Sequence, residues 1–467
     1  MWKKIQPEWI AVSVLLISFF GVFITVSLHR YWQYSVWYYD FGIFYSAIAA
    51  VAQLKPPIID HFIFTDKNIL GDHFHPLIFL LSPAVALFNT GETLLVAQTL
   101  FVTLSGLFVY LTAKELLKNR VESLAILVIY LSFIGLHNAL ITEFHELALL
   151  PLPLTIFFYG MVKKKLGWYV AGLIGVLLTK ETTFVIPAWF GLVILIKNSG
   201  QWRKIGLATV AASLAYGGAV MAWVIPAFSG QDYYYLRDVL KDSQTESLLN
   251  PLKISTVGKT LASYGFLPLF APELLPPVLF NWWSRFSGVS TTRHDLGLHY
   301  NAEIAPTLIL ASTYGWLRLK IYIIGNFNQI SRPLLSGSLI VIAGATCFYS
   351  VWILKSPALL FINPAFYSHS QNFSFLDQLI AAIPQDGVVM AQTNIAAKIA
   401  HRKVYMLRNN YQDFNPDYIV IDQRDGQEPN NFLGIKDFSS LISDLESDPN
   451  YQVIYDGGEQ KIYRLVN

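Results

Sequence analysis

Five short polar clusters interrupt an otherwise apolar chain of 467 residues. They are Tyr38-Tyr39-Asp40-Phe41-Gly42, Gly71-Asp72-His73-Phe74-His75-Pro76, Glu143-Phe144-His145-Glu146, Lys180-Glu181, and Arg293-His294-Asp295 with His299-Tyr300. Polar groups at membrane depth are costly and are functional candidates by default. A carboxylate beside histidine and lysine at the mouth of a membrane cavity suits an amphipathic lipid phosphate. The carboxylate takes a proton from an acceptor hydroxyl while a cation stabilises the departing phosphate. His73 and His75 in an extended segment share one face, which suits a metal. Asp40, His73, His75 and His145 are the candidate ligands of a divalent ion, and no other cofactor is implied.

Each cluster also has a structural reading. Asp40 can cap a helix that begins at Phe41, and the His-x-His pair can be interfacial packing. His145-Glu146 can open a helix, since acids suit the first turn. Lys180 and Glu181 can neutralise each other, and Arg293-His294-Asp295 reads as loop surface. What favours a shared site is convergence, which depends on how the helices position the clusters.

Composition requires helices in a bilayer. Hydrophobic residues make up 54% of the chain, charged residues 14%, and mean hydropathy is +0.44. Soluble domains run near a quarter charged. A net charge of +2 gives no case for nucleic acid. The single cysteine, Cys347, excludes an intrachain disulfide. No small-x-small cleavage site follows the first apolar run, so a cleavable signal peptide is not expected.

Spans need about 20 apolar residues, and Lys and Arg mark their cytoplasmic flanks. Lys3 and Lys4 place the N-terminus inside, with residues 9–28 running outward. Leu77–Phe88 is about a dozen residues and contains Pro83, too short for a span and suited to a re-entrant or juxtamembrane helix. Without it, 92–113, 121–141, 147–162, 166–180, 182–196 and 205–225 alternate so that Lys114, Lys118, Arg120, Lys163, Lys164, Lys165, Lys197, Arg203 and Lys204 fall inside. The proline-broken stretch 255–284 reads as a hairpin of two short helices, with one kinked span as the alternative. Residues 303–317 and 334–354 complete about eleven spans and leave the tail outside. This threading, chosen from Lys and Arg alone, carries Asp40, His73, His75, His145 and Lys180 to one face.

From 356 the polar and turn residues return, giving a transmembrane domain over 1–355, with an external loop at 29–91, and a soluble extracytoplasmic domain over 356–467. Helices are expected at Phe375–Ile383 and Phe438–Glu446. Strands are expected at Gly387–Ala391, Tyr418–Ile421 ending in Asp422, Tyr451–Tyr455 and Lys461–Leu465. Alternating strands and helices imply a small α/β layer, with a parallel sheet as one form.

An outward first helix, an early acid in the first external loop, juxtamembrane helices and a soluble tail resemble the GT-C glycosyltransferases. These include the protein O-mannosyltransferases and aminoarabinose transferases. More narrowly, Tyr39-Asp40-Phe41-Gly42-Ile43-Phe44, His73-Phe74-His75-Pro76, Phe144-His145-Glu146, Lys180-Glu181 and His299-Tyr300 resemble the motifs of a prokaryotic membrane-protein family, a domain of unknown function grouped with those enzymes. The resemblance covers residues 35–355. It implies a GT-C-like helical fold in the plasma (inner) membrane. It also implies inverting transfer of a sugar from a polyprenyl-phosphate donor to an extracytoplasmic acceptor. On that reading Asp40 is the general base or a metal-holding carboxylate, and Lys180 meets the donor phosphate. His73, His75, His145, Glu146, Glu181, His299 and Tyr300 line the substrate cavity. The chain departs from the mannosyltransferases in carrying one acid at 40 where they have an Asp-Glu pair, and in its extra histidines. Both departures leave room for a divalent metal.

Two other classes compete. A metal-dependent membrane hydrolase would use the His/Glu cluster, although no His-Glu-x-x-His helix is present. A non-enzymatic lipid or solute transporter would show inverted repeats or paired broken helices, and neither stands out.

Overall fold

A backbone in hydrocarbon must satisfy its own polar groups, so the apolar runs fold as helices. The computed structural model describes residues 6–466 apart from 62–65, 236–246, 248–249, 328–330, 369–372, 425–426, 428–432, 434 and 436–437. In chain order come α1 (Pro7–Trp32), α2 (Ile43–Ala52), the antiparallel pair β1 (Ile58–Ile59) and β2 (Lys67–Asn68), and α3 (Ser82–Phe88), which continues a 3₁₀ turn over Pro76–Leu81. Next are α4 (Glu92–Leu117), α5 (Arg120–Leu131), α6 (Ile134–Thr142), α7 (Pro151–Lys163), α8 (Leu166–Leu177), α9 (Val185–Lys197), α10 (Gly200–Ala219) and α11 (Ile225–Ser229). Then follow α12 (Pro251–Ser263), α13 (Pro276–Phe286), α14 (Ala305–Asn326), α15 (Arg332–Phe348) and α16 (Pro364–Ser368).

Among the described residues, five stretches are long and apolar enough to cross a membrane: Pro7–Trp32, Glu92–Leu117, Glu146–Lys163, Gly200–Ser229 and Arg332–Ile353. The pair α5–α6, bent by 45°, passes together as a sixth. Pro76–Phe88 and α8 are apolar but shorter. The proline-broken stretch forms two separate helices, α12 and α13. Between them lie 3₁₀ turns at Leu267–Phe270 and Pro272–Leu274, because proline cannot donate to a continuous helical ladder.

The chain divides into two compact units. The first holds residues 1–26, 73–77 and 96–362; the second holds 27–72, 78–95 and 363–467. Residues 27–72 and 78–95, expected with the transmembrane domain, thus group with the tail. In the first unit α7 and α8 touch through glycines. A Cβ on Gly160 would lie 2.2 Å from the Tyr169 backbone nitrogen, and one on Gly172 equally close to that of Phe157. Small residues let helices approach closely where lipid offers no hydrophobic drive.

Ion pairs tie one set of helix ends together. Glu8 of α1 meets Lys114 of α4 at 2.7 Å and Arg120 of α5 at 2.8 Å. Glu115 meets Lys118 and Lys163, and Glu273 meets Lys197 and Arg318. Glu122, fully buried, takes both oxygens to Lys320 at 2.7 and 2.9 Å and also accepts from Ser336 and Trp316. The start of α1 therefore lies beside the end of α4.

In the second unit the tail adds α17 (Ser374–Ala382), β3 (Val389–Ala391), α18 (Thr393–Lys398), β4 (Val404–Met406), β5 (Tyr418–Asp422), α19 (Ser439–Ser447), β6 (Tyr451–Asp456) and β7 (Gln460–Leu465). The sheet order is β4-β3-β5-β7-β6. β3, β4 and β5 are mutually parallel, and β7 joins β5 and β6 antiparallel. Every residue of β5 is buried, as befits the central strand of a mixed sheet. Asp60 forms a buried two-oxygen ion pair with Arg408, at 2.7 and 2.9 Å, which fixes the 58–60 segment to the tail.

Candidate functional site

The histidine clusters come together in the first unit. α8 stops at Leu177, and the chain turns through Lys180 in extended conformation into a 3₁₀ turn at Glu181–Phe184. Thr183 pins this break by donating to the carbonyls of Val176 (2.6 Å) and Lys180 (2.8 Å). The Leu77 N–H donates to the Leu178 carbonyl at 2.9 Å, which brings the His73–His75 segment to the same break.

Glu181 is fully buried and well supplied with donors. His73 Nδ1 lies 2.8 Å from one oxygen, and the Tyr233 hydroxyl donates to that oxygen at 2.9 Å. The Phe74 N–H donates to the other at 3.0 Å. Tyr235 stacks on the His73 ring at 4.3 Å. Burial would raise the Glu181 carboxyl, but His73 and Lys180 outweigh it and hold the group below its usual range.

Glu146, 1% exposed, is gripped from two sides. Lys180 Nζ lies 2.9 Å from one oxygen and His145 Nδ1 lies 2.8 Å from the other. The His145 ring stacks on His299, with centroids 3.3 Å apart and planes 13° from parallel, and Tyr300 flanks His299 at 4.2 Å. His75 is buried within electrostatic reach of Glu146, His73, Lys180 and Glu181. Burial pushes its imidazole down to about 4, and burial with the nearby His145 pushes His299 well below the usual range. Both rings stay neutral at ordinary pH.

Lys180 and Glu181 make their direct ion pairs with other partners, while Lys180 still acts on Glu181 through its charge. Lys180 serves Glu146 while Glu181 serves His73. Of Arg293-His294-Asp295, expected as loop surface, only His294 is buried; Arg293 and Asp295 stay partly exposed. His294 is 1% exposed with Nε2 2.7 Å from the Gly288 carbonyl. The Arg293 and Asp295 carbonyls accept from buried Arg285 at 2.9 and 2.8 Å. His145 does open a 3₁₀ turn, Glu146–Ala148.

Asp40 belongs to the second unit. It sits in a π-helical turn, Tyr38–Gly42, and is not a cap. α2 starts after this turn with Gly42 at its N-cap and no side-chain cap bond. Among the described residues, no three His, Cys, Asp or Glu side chains group to hold a metal ion, so Asp40, His73, His75 and His145 form no such centre there.

Several participants escaped the sequence reading. Tyr233 and Tyr235 lie in what reads as a polar loop. Glu303, which accepts from Asn281 at 2.9 Å, lies within electrostatic reach of Lys180, Arg285 and Glu146. The Arg285 guanidinium also donates to Asn301 at 2.9 Å, which sets the turn carrying His299. The available signals were the three consecutive tyrosines at 233–235 and the polar pair Asn281 and Arg285, four apart on an apolar helix.

The cluster lies at one end of the helices. α7 and α9, 13 residues each, start beside Glu146 and Glu181 and end at Lys163 and Lys197. The two charged layers are thus separated by about 20 Å of helix.

The fold has a solved counterpart. The crystal structure of ArnT from Cupriavidus metallidurans bound to undecaprenyl phosphate is similar over 99% of both chains, with a TM-score of 0.56 and 11% identity. The chain therefore shares the overall fold of that structure, in a multi-pass membrane protein. No curated protein sequence matches the chain. A family profile, described as "Predicted membrane protein (DUF2079)", matches residues 30–459, and the chain belongs to that family.

Proposed function

We propose that the protein is a membrane glycosyltransferase that moves a sugar from a polyprenyl-phosphate donor to an extracytoplasmic acceptor, with inversion. The observation that carries this reading is the buried network of Lys180, Glu146, His145, His299, His73 and Glu181. It combines a lysine cation for a phosphate with imidazole rings that can hydrogen-bond sugar hydroxyls. A fold counterpart solved with undecaprenyl phosphate supports the donor class.

In the proposed step the acceptor oxygen bonds to the anomeric carbon as the carbon–oxygen bond to phosphate breaks. The bonding pair leaves with the polyprenyl phosphate, and the hydroxyl proton passes to Asp40. Attack opposite the leaving group inverts the anomeric centre. Lys180 neutralises the departing phosphate, sharing itself with Glu146. His75 and His299, neutral, donate to and accept from the sugar. No step requires a nucleotide or a metal.

Asp40→Asn keeps the size and removes the base. It is expected to abolish transfer from radiolabelled undecaprenyl-phosphate sugars while the protein still folds and inserts. Wild-type turnover by that variant contradicts the assignment of Asp40.

A further inference from the structure

The acidic turn of the second unit is held from the soluble tail. The Gly42 N–H donates to the Trp37 carbonyl at 3.2 Å and closes a π turn over Tyr38–Gly42. Such turns insert an extra residue into a helix and recur at functional sites. Tyr38 fills the turn, and a Cβ on Gly42 would lie 2.3 Å from its ring. The Tyr38 hydroxyl bonds Ser46 at 3.1 Å. Its backbone N–H donates to Thr393 Oγ1 at 2.9 Å.

Thr393 follows the carboxyl end of β3. From β3 the chain moves out to β4 and returns past β3 to β5, so the connections diverge between β3 and β5. The crevice outside the carboxyl ends of two such strands is where open α/β sheets bind their ligands. Here the residue at that rim holds Tyr38, two positions from Asp40. The contact continues along α18 and beyond. Lys398 Nζ lies 3.5 Å from the Tyr31 ring centre and 4.7 Å from that of Tyr34. The carbonyls of Ala400 and His401 accept from Ser46 (2.9 Å) and Gln53 (3.2 Å).

We infer that Thr393 is a positioning residue for Asp40: its hydroxyl accepts the Tyr38 N–H and fixes the turn that carries the carboxylate. This inference rests on the reading of Asp40 as base.

The test uses the full-length protein in lipid nanodiscs, with radiolabelled undecaprenyl-phosphate hexoses and pentoses as donors. Thr393→Val keeps the shape and removes the acceptor. It is expected to lower kcat about tenfold, with the donor KM unchanged, because small displacements of a reacting group are costly. Thr393→Ser restores the acceptor and is expected to turn over like wild type. An independent reading uses Asp40→Cys in a Cys347→Ser background. There Thr393→Val is expected to raise the rate of maleimide labelling at position 40 about tenfold, as the turn loosens. Thr393→Ala serves both readings if the valine chain does not fold. Wild-type kcat in Thr393→Val beside an inactive Asp40→Asn overturns the inference alone, as do equal labelling rates or a serine variant as slow as valine. An active Asp40→Asn overturns the reading beneath it.

Discussion

The first unit carries charge at both ends of its helices, and the two ends are built differently. At the end where α7 and α9 finish, Glu8, Glu115 and Glu273 each meet two permanent cations, and Glu122 spends both oxygens on Lys320. At the end where those helices start, Glu146 meets one lysine and His145, and Glu181 meets His73. A lysine–glutamate pair has one charge state near neutral pH. A histidine–glutamate pair has two, and a single lysine can be drawn from its carboxylate to a phosphate. The first arrangement locks helices; the second can exchange partners with a substrate.

The sharpest way to break this contrast is to remove an acid from each end. Glu122→Ala strands Lys320 in a buried setting and is expected to cost about 3–5 kcal/mol in unfolding free energy. Donor binding is expected to be unchanged in the folded fraction. Glu146→Gln keeps the size and one acceptor oxygen and is expected to cost less, about 1–3 kcal/mol, yet to abolish transfer. Chemical unfolding in mixed micelles beside a transfer assay reads both. A reversed pattern, with Glu146 carrying stability and Glu122 carrying transfer, would refute the division of labour.

Acid distinguishes the ends next. His75 titrates near 4 when folded and at its ordinary 6.5 when unfolded, so the unfolded chain binds more protons between those values. Its contribution to stability is complete above pH 6.5 and is lost as pH falls towards 4. His75→Asn is expected to flatten the fall in unfolding midpoint across that window. An unaltered slope would place the acid sensitivity elsewhere. The smallest effect belongs to Glu115, whose partners Lys118 and Lys163 are exposed. Glu115→Gln is expected to leave the unfolding midpoint unmoved, as solvent-screened pairs do.

Much of the molecule was readable from its residues, for identifiable reasons. β5 at Tyr418–Asp422 and the helices at 374–382 and 439–447 declare themselves through unbroken apolar runs or an amphipathic period. β4, three residues, and α18, six, are too short for any period to register, yet α18 is what holds the Asp40 turn. His73, His75, His145, Glu146 and Lys180 stood out because charge among apolar neighbours is conspicuous. Tyr233, Glu303 and Arg285 did not, because they lie in or beside turns where polar residues are ordinary. The capping reading of Asp40 failed for a different reason. An i to i+5 bond that closes a π turn leaves no mark in residue type, and Gly42 hints at it only once Tyr38 is seen folded over it.

The central claim is that the histidine end, and not the cation-rich end, receives a lipid phosphate. Undecaprenyl phosphate binding to nanodisc-embedded wild type, Lys180→Gln and Lys320→Gln tests it directly. The account predicts that Lys180→Gln weakens binding by about tenfold or more, the worth of one charge-assisted hydrogen bond, while folded Lys320→Gln binds like wild type. Wild-type affinity in Lys180→Gln would contradict it.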